Sequence, residues 1–232
     1  FNLKLVILIW IMSFSNMINA APKFYDATYI FIKNGISFAE SKHKMIYDEE
    51  IKSWCIYTSS KTVGIFSLKK DIREESSCFS HNYNGNSDKQ KVVSLSTIKY
   101  NFKRIKSKSV SVVKSNKVNN NLITLIGDKR IQHPKEIKID RLTAQIFGFL
   151  LEDVKVSDKG RERLYSFSEI GRENIVTVLG NLDTVIIKKE IEGSKRSTIT
   201  WYSYEKDFLP VKIEQYRLNR LMFTAKLETY RD

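Results

Sequence analysis

The chain has 232 residues, with 39 Lys and Arg against 26 Asp and Glu, a formal charge of +13, two cysteines and three histidines. That length suits a single domain, and it buries enough surface for a core without staples. Two cysteines with the scattered His43, His81 and His133 do not make a zinc-ligand pattern, so no metal site is expected.

The first element is a leader. Lys4 precedes the unbroken apolar run Leu5-Val6-Ile7-Leu8-Ile9-Trp10-Ile11-Met12, and Ile18-Asn19-Ala20-Ala21 supplies a small-residue exit. A positive flank, a short apolar segment and small residues in that order predict a secretory signal peptide. The run is too short to span a bilayer, which takes about 20 apolar residues. Cleavage after Ala20 makes residues 1–20 the signal and 21–232 a single domain, with a charge near 38 − 26 = +12. The chain opens on Phe1 rather than Met, so one or more residues are expected to precede it. Export argues against most intracellular enzyme and nucleic-acid readings. A basic surface outside the cytoplasm points to anionic lipid, acidic glycans or an acidic partner; a solvated, Lys-rich composition is the plainer account.

Alternation and turn residues dominate the chain beyond the leader. Phe24–Lys33 and Ile36–Tyr47 are joined by Asn34-Gly35, a strong two-residue hairpin signal. Lys52–Thr62 and Lys70–Asn82 form the next hairpin around a loop at 64–69. In that register Cys55 faces Cys78, Tyr57 faces Ser76 and Ser59 faces Glu74, so a cross-strand disulfide is expected. Lys91–Lys103, Ser107–Lys114 and Leu122–Ile126 are further strands, broken by Asn119-Asn120-Asn121.

One segment abandons the two-residue period. Asp140 is a good helix N-cap, and Leu142, Ile146, Phe149 and Leu150 fall on one helical face. Ala144, Phe147 and Leu151 widen that face. Such a helix either plugs the concave side of a sheet or lines a hydrophobic ligand cavity. Strands resume with Glu162–Ile170 and Glu173–Leu179 on either side of Gly171, then Thr184–Ile191, Ser197–Tyr204, Pro210–Leu218 and Leu221–Tyr230. About twelve antiparallel strands and one main helix predict a mainly β fold. The expected form is a large curved sheet or open barrel with the helix on its concave face.

Three stretches resemble an exported bacterial family catalogued as domain of unknown function 3108. They are Tyr25–Tyr29 through Asn34-Gly35-Ile36 to Ala39-Glu40, with Thr62–Phe66 following; Asp140-Arg141-Leu142-Thr143-Ala144-Gln145; and Leu179-Gly180 through Thr198–Trp201 to Phe208–Glu214. The resemblance implies an envelope β-protein, most simply in the periplasm of a Gram-negative bacterium. It also implies a loose similarity to the half-barrels of lipoprotein carriers, which is fold analogy only. It implies no catalytic residues and no cofactor. The Cys55/Cys78 pair lies outside its pattern.

No Gly-x-Ser-x-Gly, HExxH, P-loop or dinucleotide fingerprint is present. No spacing pairs Asp26, Glu40 or Asp140 across a cleft, so glycosidase chemistry has no support. Trp201 packs in the core or stacks on a ligand ring. The basic segment 99–117, with Lys99, Lys103, Arg104, Lys106 and Lys108, is a Lys-protected edge or a contact for an anionic membrane surface. These readings predict a non-enzymatic carrier for a lipid or lipoprotein, with Leu142, Ile146, Phe149, Leu150 and Trp201 at the ligand. The alternative is an envelope assembly factor that binds a protein or glycan through a strand edge. An unfilled apolar pocket of about 300 Å³ or more separates the two.

Overall fold

A computed structural model describes residues 23–84, 91–151 and 153–232. The expected signal peptide at 1–20 lies outside them. The strands run β1 Tyr25–Lys33, β2 Ile36–Asp48, β3 Ser53–Thr62, β4 Asp71–Asn84, β5 Lys91–Lys106, β6 Ser109–Val118, β7 Asn121–Ile126, β8 Lys129–Gln132 and β9 Ile139–Asp140. Helix α1, Arg141–Phe147, comes next. Then come β10 Asp153–Asp158, β11 Arg161–Thr177, β12 Gly180–Ile191, β13 Arg196–Ser203, β14 Leu209–Arg217 and β15 Arg220–Arg231.

All fifteen strands belong to one open sheet, in the order β8-β7-β6-β5-β4-β3-β2-β1-β15-β14-β13-β12-β11-β10-β9. Consecutive strands lie side by side except β8 and β9, which form the two rims of the sheet, and β1 pairs with β15 at the centre. Every ladder is antiparallel except β9 with β10. Four tight turns place both central residues at positive φ: Asn34-Gly35, Asn119-Asn120, Lys159-Gly160 and Leu218-Asn219. Each contains an Asn or Gly, which accepts that conformation.

Three strands, β8, β9 and β10, exceed the sequence expectation, and two expected strands are one. β11 runs unbroken through Gly171 because the register shifts there by a bulge at Ile170, and a bulge lets a long strand bend without ending.

The sheet curls around α1. Met45, Ile56, Phe79, Tyr100, Val156 and Tyr165 pack with Leu142, Ala144 and Ile146 in the main core. The two rims approach each other without pairing. His133, just past β8, places its Nε2 2.9 Å from Thr124 Oγ1 on β7 and 3.0 Å from Ser157 Oγ on β10. The β10–β11 turn presses on the same rim: a Cβ at Gly160 would meet Ile126 at 2.7 Å. A smaller core holds Ala27, Tyr29, Leu182, Trp201 and Leu227. The expected disulfide is present in the expected register, with Cys55 opposite Cys78 and their Cα atoms 4.0 Å apart.

Candidate functional site

The helix is shorter than its periodicity predicts. It ends at Phe147 and tightens into a single 3₁₀ turn over Gly148–Leu150. The Phe167 ring lies so close to Gly148 that an added Cβ would meet it at 2.5 Å. Leu142 and Ile146 are buried, and Leu150 is partly buried against the main core. Phe149 turns away into an aromatic group, its ring 4.6 Å from Tyr202 and 5.3 Å from Phe208. Beside it, a cavity touched by Tyr25, Met45, Ile146, Phe149 and Phe208 holds about 30 Å³, room for one or two waters.

Trp201 does not join this group. It lies between Thr200 and Tyr202 on β13, so the strand's alternation sends it to the opposite face from Tyr202. There its Nε1–H donates to Glu173 Oε2 at 2.8 Å, and Lys212 Nζ sits 3.8 Å over the ring.

Beneath the helix N-terminus are two buried polar clusters. Asp140, fully buried, caps α1 by accepting from the amides of Leu142 at 2.7 Å and Thr143 at 3.1 Å through Oδ1. Its Oδ2 accepts from the hydroxyls of Ser77 on β4, Thr97 on β5 and Thr143. Burial pushes this carboxyl up, against the opposing pull of those hydrogen bonds. One residue on, Arg141 grips Glu75 of β4 with two bonds of 2.7 and 2.8 Å, and Tyr100 donates to the same carboxylate at 2.7 Å. Two lysines border this pair. Burial, and then the charge of Arg141, lowers both Lys159 and Lys189 to about 8. Lys159 lies 3.6 Å over the Phe102 ring.

The sequence reading missed Glu75 and Arg141 as partners. A signal existed: Asp71, Arg73 and Glu75 share strand parity with the buried Ser77 and Phe79, so charges on that face need partners.

Two histidines lie beside hydroxyls. His43 Nε2 is 3.0 Å from Ser41 Oγ, which is itself 2.8 Å from Ser60 Oγ. Burial lowers His43 to about 4, and its Nδ1 has no partner. Ser41 is 1% exposed, so the pair presents no oxygen to an outside molecule. Among the described residues no three His, Cys, Asp or Glu side chains gather as metal ligands, and no helix is long and apolar enough to cross a membrane.

The basic segment divides. Lys99 and Lys103 point to the outer face, opposite in parity to the buried Tyr100 and Phe102. Arg104 and Lys106 have the opposite parity, and Lys108 is in the β5–β6 turn. Arg104 is engaged by Asp71 through bonds of 2.8 and 2.6 Å, so it is not free for an anionic surface. The edge itself is open: β7 covers β6 only from Lys114 to Val118, which leaves Ser109–Val113 with a strand on one side. This stretch carries no charge and no bulge, and Val110 and Val112 are exposed.

No family model matches the chain, and no curated protein matches it. The likeness to domain of unknown function 3108 therefore stays a resemblance. Among solved structures the chain is similar to a protein of Bacteroides fragilis NCTC 9343 described as a putative exported protein with YmcC-like fold. The two are 12% identical with a TM-score of 0.37, over 91% of this chain and 100% of that one.

Proposed function

We propose that the protein is an exported, non-enzymatic binding protein that holds a partner protein by strand addition along Ser109–Val113. The open edge of β6 carries this reading. Natural edges are blunted by charges, bulges or covers; Ser109-Val110-Ser111-Val112-Val113 has none of these among the described residues. Its β-branched residues suit an added strand, and its unpaired main-chain groups suit the extended backbone of a partner. The carrier reading has less support, because the cavity beside Phe149 is about 30 Å³ and ligand pockets run to about 300–1,000 Å³. Export rests on the order of charge, apolar run and small residues from Lys4 to Ala21.

A photo-activated cross-linking residue at position 110, expressed in the native envelope, tests the reading. A discrete adduct should form there and be lost in Val110→Lys/Val112→Lys protein carrying the cross-linker at Ser111. Adducts equally strong from a probe at Lys195, on the far β12–β13 hairpin, would overturn it. N-terminal sequencing of the exported protein should read Ala-Pro-Lys-Phe.

A further inference from the structure

The outer face of β2 to β6 carries a trough of about 560 Å³, which meets the open edge of β6 only at Val112. Two registered rows of side chains cross it. One runs Lys44, Tyr57, Ser76, Asn101, Lys114, each directly opposite the next on adjacent strands. The other runs Lys42, Ser59, Glu74, Lys103, Val112 in the same way. At about 4.8 Å per strand, Lys44 and Lys114 begin about 19 Å apart. Between them the floor is a phenol, a hydroxyl and a carboxamide. Tyr57 is 40% exposed, and Asn101 Nδ2 donates to Ser76 Oγ at 3.4 Å.

All four lysines of the trough are exposed; Lys103 has Glu74 at 3.9 Å, and Lys44 has Asp26 directly opposite it on β1. Glu75 turns inward to Arg141. Of the carboxylates that remain, Asp26 is the other in the lining, so cations exceed anions four to two.

We infer that this trough binds a short segment of an acidic polysaccharide, lying across the strands from Lys44 to Lys114. The sheet's ladders already use the backbone groups here, so the face offers a ligand side chains only. That disfavours an extended peptide, which binds sheets through main-chain bonds. The side chains on offer are hydroxyls, an amide and one aromatic face between cations, which match sugar hydroxyls, a sugar ring and spaced carboxylates. A membrane fits less well: the site is concave, and a bilayer would need projecting apolar or aromatic groups to enter it. The trough uses side chains on the face of the sheet, and strand addition uses the main chain of its edge. Val112 is shared, and variants at Lys44, Tyr57 and Lys114 leave Ser109–Val113 unchanged, so the two readings are tested separately.

Oligogalacturonate is the probe, with neutral dextran oligomers and phosphatidylglycerol vesicles as comparisons, measured by titration calorimetry on the exported protein. Oligogalacturonate should bind and dextran should not. Lys44→Glu/Lys114→Glu should weaken binding by about tenfold or more, the equivalent of about 1.4 kcal/mol. Tyr57→Ala should weaken it measurably at unchanged charge. Lys195→Glu/Arg220→Glu, which changes net charge equally on distant hairpins, should leave it within about twofold, and added salt should weaken it. No binding would overturn the inference. So would equal loss in the distant charge variant, no effect of Tyr57→Ala, or binding to vesicles alone. Circular dichroism of each variant separates a lost site from a lost fold.

Discussion

Replacing Asp140 by Ala should be among the most damaging single changes in this protein. The side chain caps α1, and losing such a cap costs about 1 kcal/mol. It also serves three buried hydroxyls, from Ser77, Thr97 and Thr143. A buried polar group left without its partner costs about 1–3 kcal/mol. Ser77 and Thr143 lie 2.8 Å apart and can partly satisfy each other, so the sum comes to about 3–4 kcal/mol rather than the maximum. That is a large share of the roughly 5–15 kcal/mol that holds a domain folded. Urea denaturation with the disulfide intact reads the loss as a lower midpoint at unchanged slope. Asp140→Asn keeps an oxygen for the two amides and turns donors toward hydroxyls that can accept, so it should recover most of the stability. The pH dependence adds a second check. The folded-state pKa of Asp140 is raised, so between the unfolded value of 3.8 and the folded one the native state holds more protons. Wild type should therefore gain on Asp140→Asn as pH falls through that window. A cost near zero for Asp140→Ala would refute the view that this carboxyl joins helix and sheet.

Other changes test separate parts of the fold. Cys55 and Cys78 are 23 residues apart in sequence; loop-closure entropy makes their bond worth about 3 kcal/mol, so reduction should lower the urea midpoint. Thiol titration of denatured, unreduced protein should find no free thiol. His43 has its pKa lowered from 6.5 to about 4, so the unfolded state binds the proton first. Its contribution is complete above about pH 6.5 and is lost as pH falls toward 4, by at most about 3 kcal/mol. His43→Gln should flatten that part of the pH–stability curve, and an unchanged slope would point to other groups. Gly148→Ala should cost about 1–3 kcal/mol by overpacking against Phe167, and Phe167→Leu should recover part of the loss if that ring is the obstacle. Leu150→Asp, which places a charge between the two cores around the helix, should destabilise by several kcal/mol as judged by thermal unfolding.

Local chemistry was legible in the sequence where it was decided locally. Asn34-Gly35 marked its turn because both residues accept positive φ. The spacing of Cys55, Tyr57 and Ser59 against Ser76 and Cys78 set a register that the sheet keeps. Asp140 was readable as a cap because it precedes an apolar helical face. Its bonds to Ser77 and Thr97 were not readable, since they join residues 63 and 43 positions away. Gly171 looked like a break because a bulge and a turn use the same residue. The two-residue β9 is too short to show a period. The anionic-contact residues divided because alternation sends Lys103 and Arg104 to opposite faces, and a run of basic residues hides that until the strand is known.

The central pairing of β1 with β15 governs how this chain can be assembled. Tyr29 meets Leu227, and its hydroxyl donates to the Pro210 carbonyl at 2.8 Å, so the middle of the sheet is closed by residues nearly two hundred positions apart. Each half can zip up strand by strand, but the middle of the sheet closes only when the last strand arrives. Contacts of such long sequence separation form slowly. Until then β1 and β14 both stand as exposed sticky borders, each apolar on one face. A chain threaded outward from its first strand would carry one of those borders throughout its passage. Shielding during that interval, rather than extra stability at the end of it, is what this topology demands of the cell that makes it.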